Sequence, residues 1–179
     1  MLNTIFLISG VVILLIVLLS IAVIHIRSIR DDLENRWYNL AEKLQYRQDL
    51  MPNLIETVKL FIPAENLAAH KNLIQKSIDS RLAAAKNIKP GTDKIIEENE
   101  ISKQIEELLK LGAKYESLGK STNYLELKKE IKDLRIQIEE LTSNYNNKVR
   151  NYNSMLSRPY NILPGLLMKY KRKYIFDFE

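Results

Sequence analysis

Residues 124–156 read YLELKKEIKDLRIQIEELTSNYNNKVRNYNSML. Tyr124, Leu127, Ile131, Leu134, Ile138, Leu141 and Tyr145 recur at alternating steps of three and four. After one extra step of four the pattern continues through Val149, Tyr152 and Leu156. Spacing of this kind places the apolar side chains in one seam along an α-helix, as in a coiled coil, with charged residues on the other faces. The doubled step of four is a stutter, which relaxes supercoiling without ending the helix. A single long helix is therefore predicted here.

The same periodicity extends upstream. Ile101, Ile105, Leu108, Tyr115 and Leu118 mark a preceding helix, and Gly119-Lys120-Ser121-Thr122 supplies the turn, with Ser121 or Thr122 able to cap the long helix. Ile88 to Asp93, which contains Pro90-Gly91, reads as a loop. Before it, Leu67, Ile74, Ile78, Leu82 and Ala85 form the inward face of a helix from about Ala64 to Asn87, opened by Pro63. Ile29, Leu33, Trp37, Leu40, Leu44, Met51, Leu54, Val58 and Phe61 keep helical phase before that, with a kink or local break expected at Pro52. No strand pattern of any length occurs.

Ile5 to Ile26 is one apolar run: seventeen of its twenty-two residues are Ile, Leu, Val or Phe, and every Lys, Arg, Asp and Glu lies after it. At ~1.5 Å per residue it spans roughly 33 Å, enough to cross a bilayer core. Ser20-Ile21-Ala22 has the small-x-small spacing of a signal cleavage site, but Val23-Ile24 carries the run past it and no basic segment precedes it. A retained single-pass transmembrane anchor is expected. Arg27, Arg30, Arg36, Lys43 and Arg47 come after the span, so the positive-inside rule puts the amino terminus outside and the remainder in the cytoplasm. The absence of cysteine agrees with that compartment.

Helix lengths suggest an arrangement. The first and last cytoplasmic helices cover about 35 residues, or ~50 Å, and the middle two about 24, or ~36 Å. With short connections favouring antiparallel neighbours, the expected fold is all-α. A transmembrane helix is followed by an antiparallel four-helix bundle with long first and last helices. The membrane-proximal part would hold only those two. Three parts result: an anchor over 1–26, a bundle over 27–158 and a basic, aromatic tail over 159–179.

Asn35-Arg36-Trp37 and the block Arg47-Gln48-Asp49-Leu50-Met51-Pro52-Asn53-Leu54-Ile55-Glu56-Thr57-Val58-Lys59 resemble the signature of the bacterial LemA family. Asn123 to Leu127, Tyr145-Asn146, Val149 to Asn153, Pro159 to Asn161 and Gly165 to Phe178-Glu179 extend the likeness over nearly the whole chain. The resemblance implies a bacterial single-pass inner-membrane protein with an antiparallel helical bundle. It implies no particular reaction. The chain departs from the family pattern at Gln137, where an Arg is usual, at Leu141-Thr142 in place of Ala-Arg, and at Arg158-Pro159 in place of Phe-Pro.

Residues fit for chemistry are sparse. His25 closes the anchor as an interfacial residue, and His70 stands alone on its helix as a solvated side chain. Glu97-Glu98-x-Glu100 lies near a helix start, where the helix dipole accounts for carboxylates. Asp49, Asn53 and Glu56 surround Pro52 and can repair the hydrogen bonds that it breaks. The five glycines are scattered and build no phosphate loop. No catalytic, metal or cofactor residues are assigned, and the chain is not expected to be an enzyme.

Asn144-Tyr145-Asn146 recurs as Asn151-Tyr152-Asn153. Asn is a poor helix former, so the cluster reads either as a register device across the first helix or as a polar groove for a protein partner. In the second reading Tyr145, Asn146, Tyr152 and Asn153 are the contact residues. From Arg27 to Asn147 twenty basic residues balance twenty acidic ones, whereas from Lys148 onward seven basic residues face two acidic. A neutral body excludes a nucleic-acid surface. In the tail, Leu166 to Phe176 interleaves cations with aromatic and aliphatic side chains. Lys169, Tyr170, Lys171, Arg172, Lys173 and Tyr174 within it suit an anionic lipid surface. An RNA contact and an unstructured basic end compete with that reading of the tail. The expected role is a non-catalytic scaffold or adaptor that works through membrane lipid and an unidentified protein partner. The alternatives are a self-assembling homo-oligomer and a sensor relaying a membrane signal.

Overall fold

Leu2 to Phe61 form a single helix, α1, in the computed structural model of the chain, which describes residues 2–177. Met1 and the terminal Phe178-Glu179 of the family-like tail lie outside the described residues. After α1 come α2 (Ala64–Leu67), a 3₁₀ turn (Ala68–His70), α3 (Lys71–Ala84), α4 (Thr92–Lys114), α5 (Glu116–Gly119), α6 (Thr122–Leu156) and α7 (Pro159–Leu167). The fold is all-helical, and no strand occurs among the described residues.

Of the kink or local break expected at Pro52, the break is absent: α1 runs through it. A proline removes the N–H that would bond the carbonyl four residues back, here that of Gln48. Arg81 Nε of α3 donates to that carbonyl at 3.0 Å, while its Nη2 lies 3.5 Å from Asp49 Oδ1. The repair thus comes from a neighbouring helix and not from side chains flanking Pro52. Glu56 pairs with Lys59 instead.

Arg81 also sets the face of α3, which differs from expectation. Leu82 and Ala85 are exposed, and Ser77, Ser80 and Ala84 join Ile74 inside. The 3₁₀ turn shifts the phase after Leu67. The buried hydroxyls of Ser77 and Ser80 satisfy themselves on Leu73 O and Lys76 O, both at 2.8 Å. On α4, Ile101, Ile105 and Leu108 are buried as expected, together with Leu111. The α4 pattern is then broken at Tyr115, whose extended backbone separates α5. Ser121 caps α6, its Oγ accepting from the Tyr124 N–H at 3.4 Å. The α6 seam is buried at Tyr124, Leu127, Ile131, Leu134 and Ile138. At the stutter Leu141 is half-buried and Thr142 buried, so both residues share one step of the seam.

The chain divides into two compact units: Met1–Arg36 with Asn146–Ile175, and Trp37–Tyr145 with Phe176–Glu179. In the second, Asn123 Nδ2 donates to Thr57 Oγ1 at 2.7 Å, Tyr46 Oη donates to Glu130 Oε1, and the Trp37 and Tyr145 rings lie 5.5 Å apart. Residue numbers thus rise on α1 as they fall on α6. The first unit holds the apolar start of α1, which is exposed from Ile5 to Leu18, the end of α6, α7 and the segment after it.

Gly119 is required by a close approach. A Cβ there would lie 2.3 Å from the backbone oxygen of Gly112, an atom that cannot rotate away. Gly119→Ala is expected to lower stability by about 1–3 kcal/mol, as overpacking does. Gly91→Ala, with nothing within 4 Å, should lie within about 0.5 kcal/mol of the parent. Urea unfolding of the detergent-solubilised chain, monitored by helicity, checks both.

Candidate functional site

Glu98 is the most buried carboxylate among the described residues, at 0 % exposure. It sits in the second turn of α4, so the dipole reading of Glu97-Glu98-x-Glu100 does not hold for it. Its Oε2 accepts from Arg47 Nη2 at 2.5 Å, and its Oε1 from Gln48 Nε2 at 2.6 Å and Lys94 Nζ at 2.7 Å. Arg47 Nη2 also reaches the Glu98 carbonyl at 3.2 Å, and Nη1 reaches Ser102 Oγ at 2.8 Å. Lys94 Nζ donates to the terminal α3 carbonyl of Ala84 at 2.9 Å. Burial pulls the Arg47 pKa below its ordinary value, against the opposing pull of Glu98. One carboxylate thereby ties α1 to α4, and its lysine partner ties α4 to the end of α3. Sequence spacing on α4 carried one clue: Lys94, Glu98, Ile101 and Ile105 share one helical face.

Beside this network is a cleft of about 470 Å³ lined from α1, α4 and α6. Ile105, Leu109 and Ile131 form its apolar part; Lys103, Lys128 and Lys132 bring cations to it beside Glu106, and Arg47 and Arg135 also line it, ion-paired with Glu98 and Glu139. Periodicity does not reveal such a site, because its cations come from three helices remote in sequence. Gln137, where the family carries an Arg, lines a separate groove with Lys43, Tyr46 and Glu130.

The expected contact residues are placed differently. Tyr145 and Tyr152 are each 1 % exposed and Asn146 is buried, so none of the three offers an open surface. In the second unit Tyr145 packs on Trp37, whose other ring neighbour is Phe176, 5.4 Å away and edge-on; Trp37 Nε1 donates to Ile88 O at 3.0 Å. Phe176, expected among the lipid-facing aromatics, is thus a core residue. In the first unit Asn153 makes a two-point bond to the tail: its Nδ2 donates to Lys173 O and its Oδ1 accepts from the Lys173 N–H, both at 2.9 Å.

Of the tail residues, Lys169, Lys171, Arg172 and Tyr174 are exposed. Tyr170 lies under the Arg30 guanidinium at 5.7 Å, and Lys173 Nζ is 3.7 Å from Glu34. Tyr170 and Lys173 are thus held beside α1 by specific contacts. Glu34 and Asp32 have lowered pKa values, held down chiefly by hydrogen bonds from Arg30 and Lys148 respectively. His25 is exposed. His70 is half-buried and not simply solvated: its Nε2 lies 2.9 Å from Tyr115 Oη, and burial followed by the Lys114 charge lowers its pKa.

Glu98→Ala strands Arg47 and Lys94 in the interior and is expected to cost about 3–5 kcal/mol in urea unfolding, with Glu98→Gln milder. Burial pushes the Tyr145 hydroxyl up to about 12. A raised pKa gives stability that is complete below the unfolded value near 10 and is lost as pH rises toward 12. The melting temperature should therefore fall more steeply over that window in the parent than in Tyr145→Phe, as thermal melts at stepped pH would register.

The sequence profile of the LemA family matches residues 36–179, beginning just before Trp37 and leaving the apolar start of α1 outside the match. No curated protein matches the chain. With Arg36 to the carboxyl terminus covered, and with the Arg47-Gln48 segment of the family-like block gripping the buried Glu98, the chain belongs to the LemA family.

Proposed function

We propose that this chain is a non-catalytic, membrane-anchored helical scaffold. In this reading it passes once through a bacterial inner membrane with its amino terminus outside, and its helical part binds an acidic segment of a protein partner in the cytoplasm. The observation that carries the proposal is the cationic cleft on a helix that also bears the membrane-spanning stretch. α1 has an apolar segment long enough to cross a bilayer, and the same helix supplies Arg47 to the cleft. An apolar floor with a basic rim complements an amphipathic acidic helix or strand. The opposed numbering of the α1–α6 pairs and the short connection between α3 and α4 support an antiparallel four-helix arrangement of α1, α3, α4 and α6. Arg27 and the basic residues after it support the orientation.

Two observations favour a scaffold over the other readings. The seams of α1 and α6 are already buried inside one copy, at Leu40, Leu44, Leu54 and Val58 and at Leu127, Ile131, Leu134 and Ile138, so they are not free to pair between copies. The buried ionisable groups around Glu98 are occupied in joining helices and not in presenting a reactive side chain to solvent.

Lys128 and Lys132 are exposed on the cleft rim and stand outside the Glu98 network, so their reversal leaves that network intact. In crosslinking from native membranes, Lys128→Glu/Lys132→Glu is expected to lose a partner that the parent and Tyr152→Phe retain. Equal recovery by all three would exclude the cleft.

A further inference from the structure

Pro159 to Met168 contains no charged residue, and its helix, α7, is turned the wrong way for water. Asn161, Pro164 and Gly165 are its buried residues; Leu163, Leu166 and Leu167 are 55 %, 71 % and 66 % exposed. Local chemistry explains the inversion. Asn161 Nδ2 donates to Met155 O at 3.0 Å, satisfying a carbonyl at the end of α6. Gly165 lies beside Leu156, where a Cβ would make an ordinary contact at 3.6 Å from Leu156 Cδ2. Lys169, in the left-handed region at φ 53°, then turns the chain, with Tyr170 N bonded to Gly165 O and Lys169 N to Leu166 O.

After the turn, Tyr170 meets Arg30 and Lys173 meets Glu34, so the tail ascends α1 in step with it. Tracing back from Tyr170 leads toward the end of the apolar run. There Leu19, Ala22 and Val23 are half-screened and Ile26 is fully buried, a stripe at helical spacing on a helix otherwise bare from Ile5 to Ile24. That stripe begins seven residues, or about 10 Å, inside the end of the span. Whatever screens it shares the layer occupied by the span.

We infer that α7 lies in the interfacial layer of the bilayer beside the last two turns of the membrane span, as a second, non-spanning contact with an anionic phospholipid surface. Leu163, Leu166 and Leu167 enter the acyl boundary, and the exposed Lys169, Lys171 and Arg172 meet lipid phosphates. Each such cation contributes about fivefold to partition onto an anionic surface. The inference rests on the reading of Ile5 to Ile26 as a membrane span, and the experiment separates the two.

The chain has no cysteine, so single labelling sites can be introduced into the full-length protein. Leu166→Cys, Leu14→Cys and Ser143→Cys, each carrying an environment-sensitive fluorophore, are reconstituted into vesicles of phosphatidylcholine with or without phosphatidylglycerol, with brominated acyl chains as quencher. Leu166 is 71 % exposed, so its replacement leaves the packing intact. Strong quenching at positions 14 and 166, none at 143, and more at 166 when phosphatidylglycerol is present is the expected result. Quenching at 14 but not at 166 would overturn the inference while leaving the span in place. Absence at both would overturn the span reading itself. Unquenched label at 166 that self-associates between copies would assign the α7 face to a second copy of the chain. Equal quenching at 166 in both lipids would overturn the anionic preference.

Discussion

A carboxylate without solvent has to be neutralised, and Glu98 imposes that requirement on the helical unit around it. Its two oxygens take up Arg47 and Gln48 from α1 and Lys94 from its own helix, and Lys94 in turn holds the last carbonyl of α3. Arg47 and Lys94 have their geometry set by further bonds, so the helices cannot slide by a turn without leaving a buried charge unmatched. Apolar seams alone tolerate such slips. The network gives register, whereas burial of Leu40, Leu44, Leu54, Ile101 and Leu108 supplies the larger part of the driving force.

Pro52 belongs to the same arrangement. By freeing the Gln48 carbonyl it creates an acceptor on the side of α1 that Arg81 reaches, and Asp49 helps to orient that guanidinium. Gln48 thus uses its backbone toward α3 and its side chain toward α4. The adjacent residues Arg47, Gln48 and Asp49 with Pro52 form a junction for three helices, which accounts physically for the density of special residues in that short block.

The asparagine-rich end of α6 has a comparable logic. Asn153 presents both an acceptor and a donor to the Lys173 backbone, as a neighbouring strand would, and so fixes an irregular segment that has no regular partner of its own. Tyr145 and Phe176 flank Trp37 in the other unit. These contacts turn part of an apparently loose basic tail into structure, leaving Lys169, Lys171 and Arg172 exposed. The cations lining the cleft near Arg47 come from residues far apart in the chain.

Helical periodicity by itself determined that the chain is all-α, where α6 runs, which faces of α1 and α6 turn inward, and that Ile5 to Ile26 can cross a bilayer. All of these rest on spacing and hydropathy, which are local properties. The turn at Ser121 and the inward position of Tyr145 and Tyr152 were equally legible. The burial of Glu98, the use of Arg81 to mend the helix at Pro52, the rotated face of α3 and the capture of Phe176 were decided only in three dimensions. A charged side chain announces neither its burial nor its partner, since both depend on which helix packs against it. The inverted face of α7 has the same origin: Asn161 points inward because the end of α6 offers it a carbonyl.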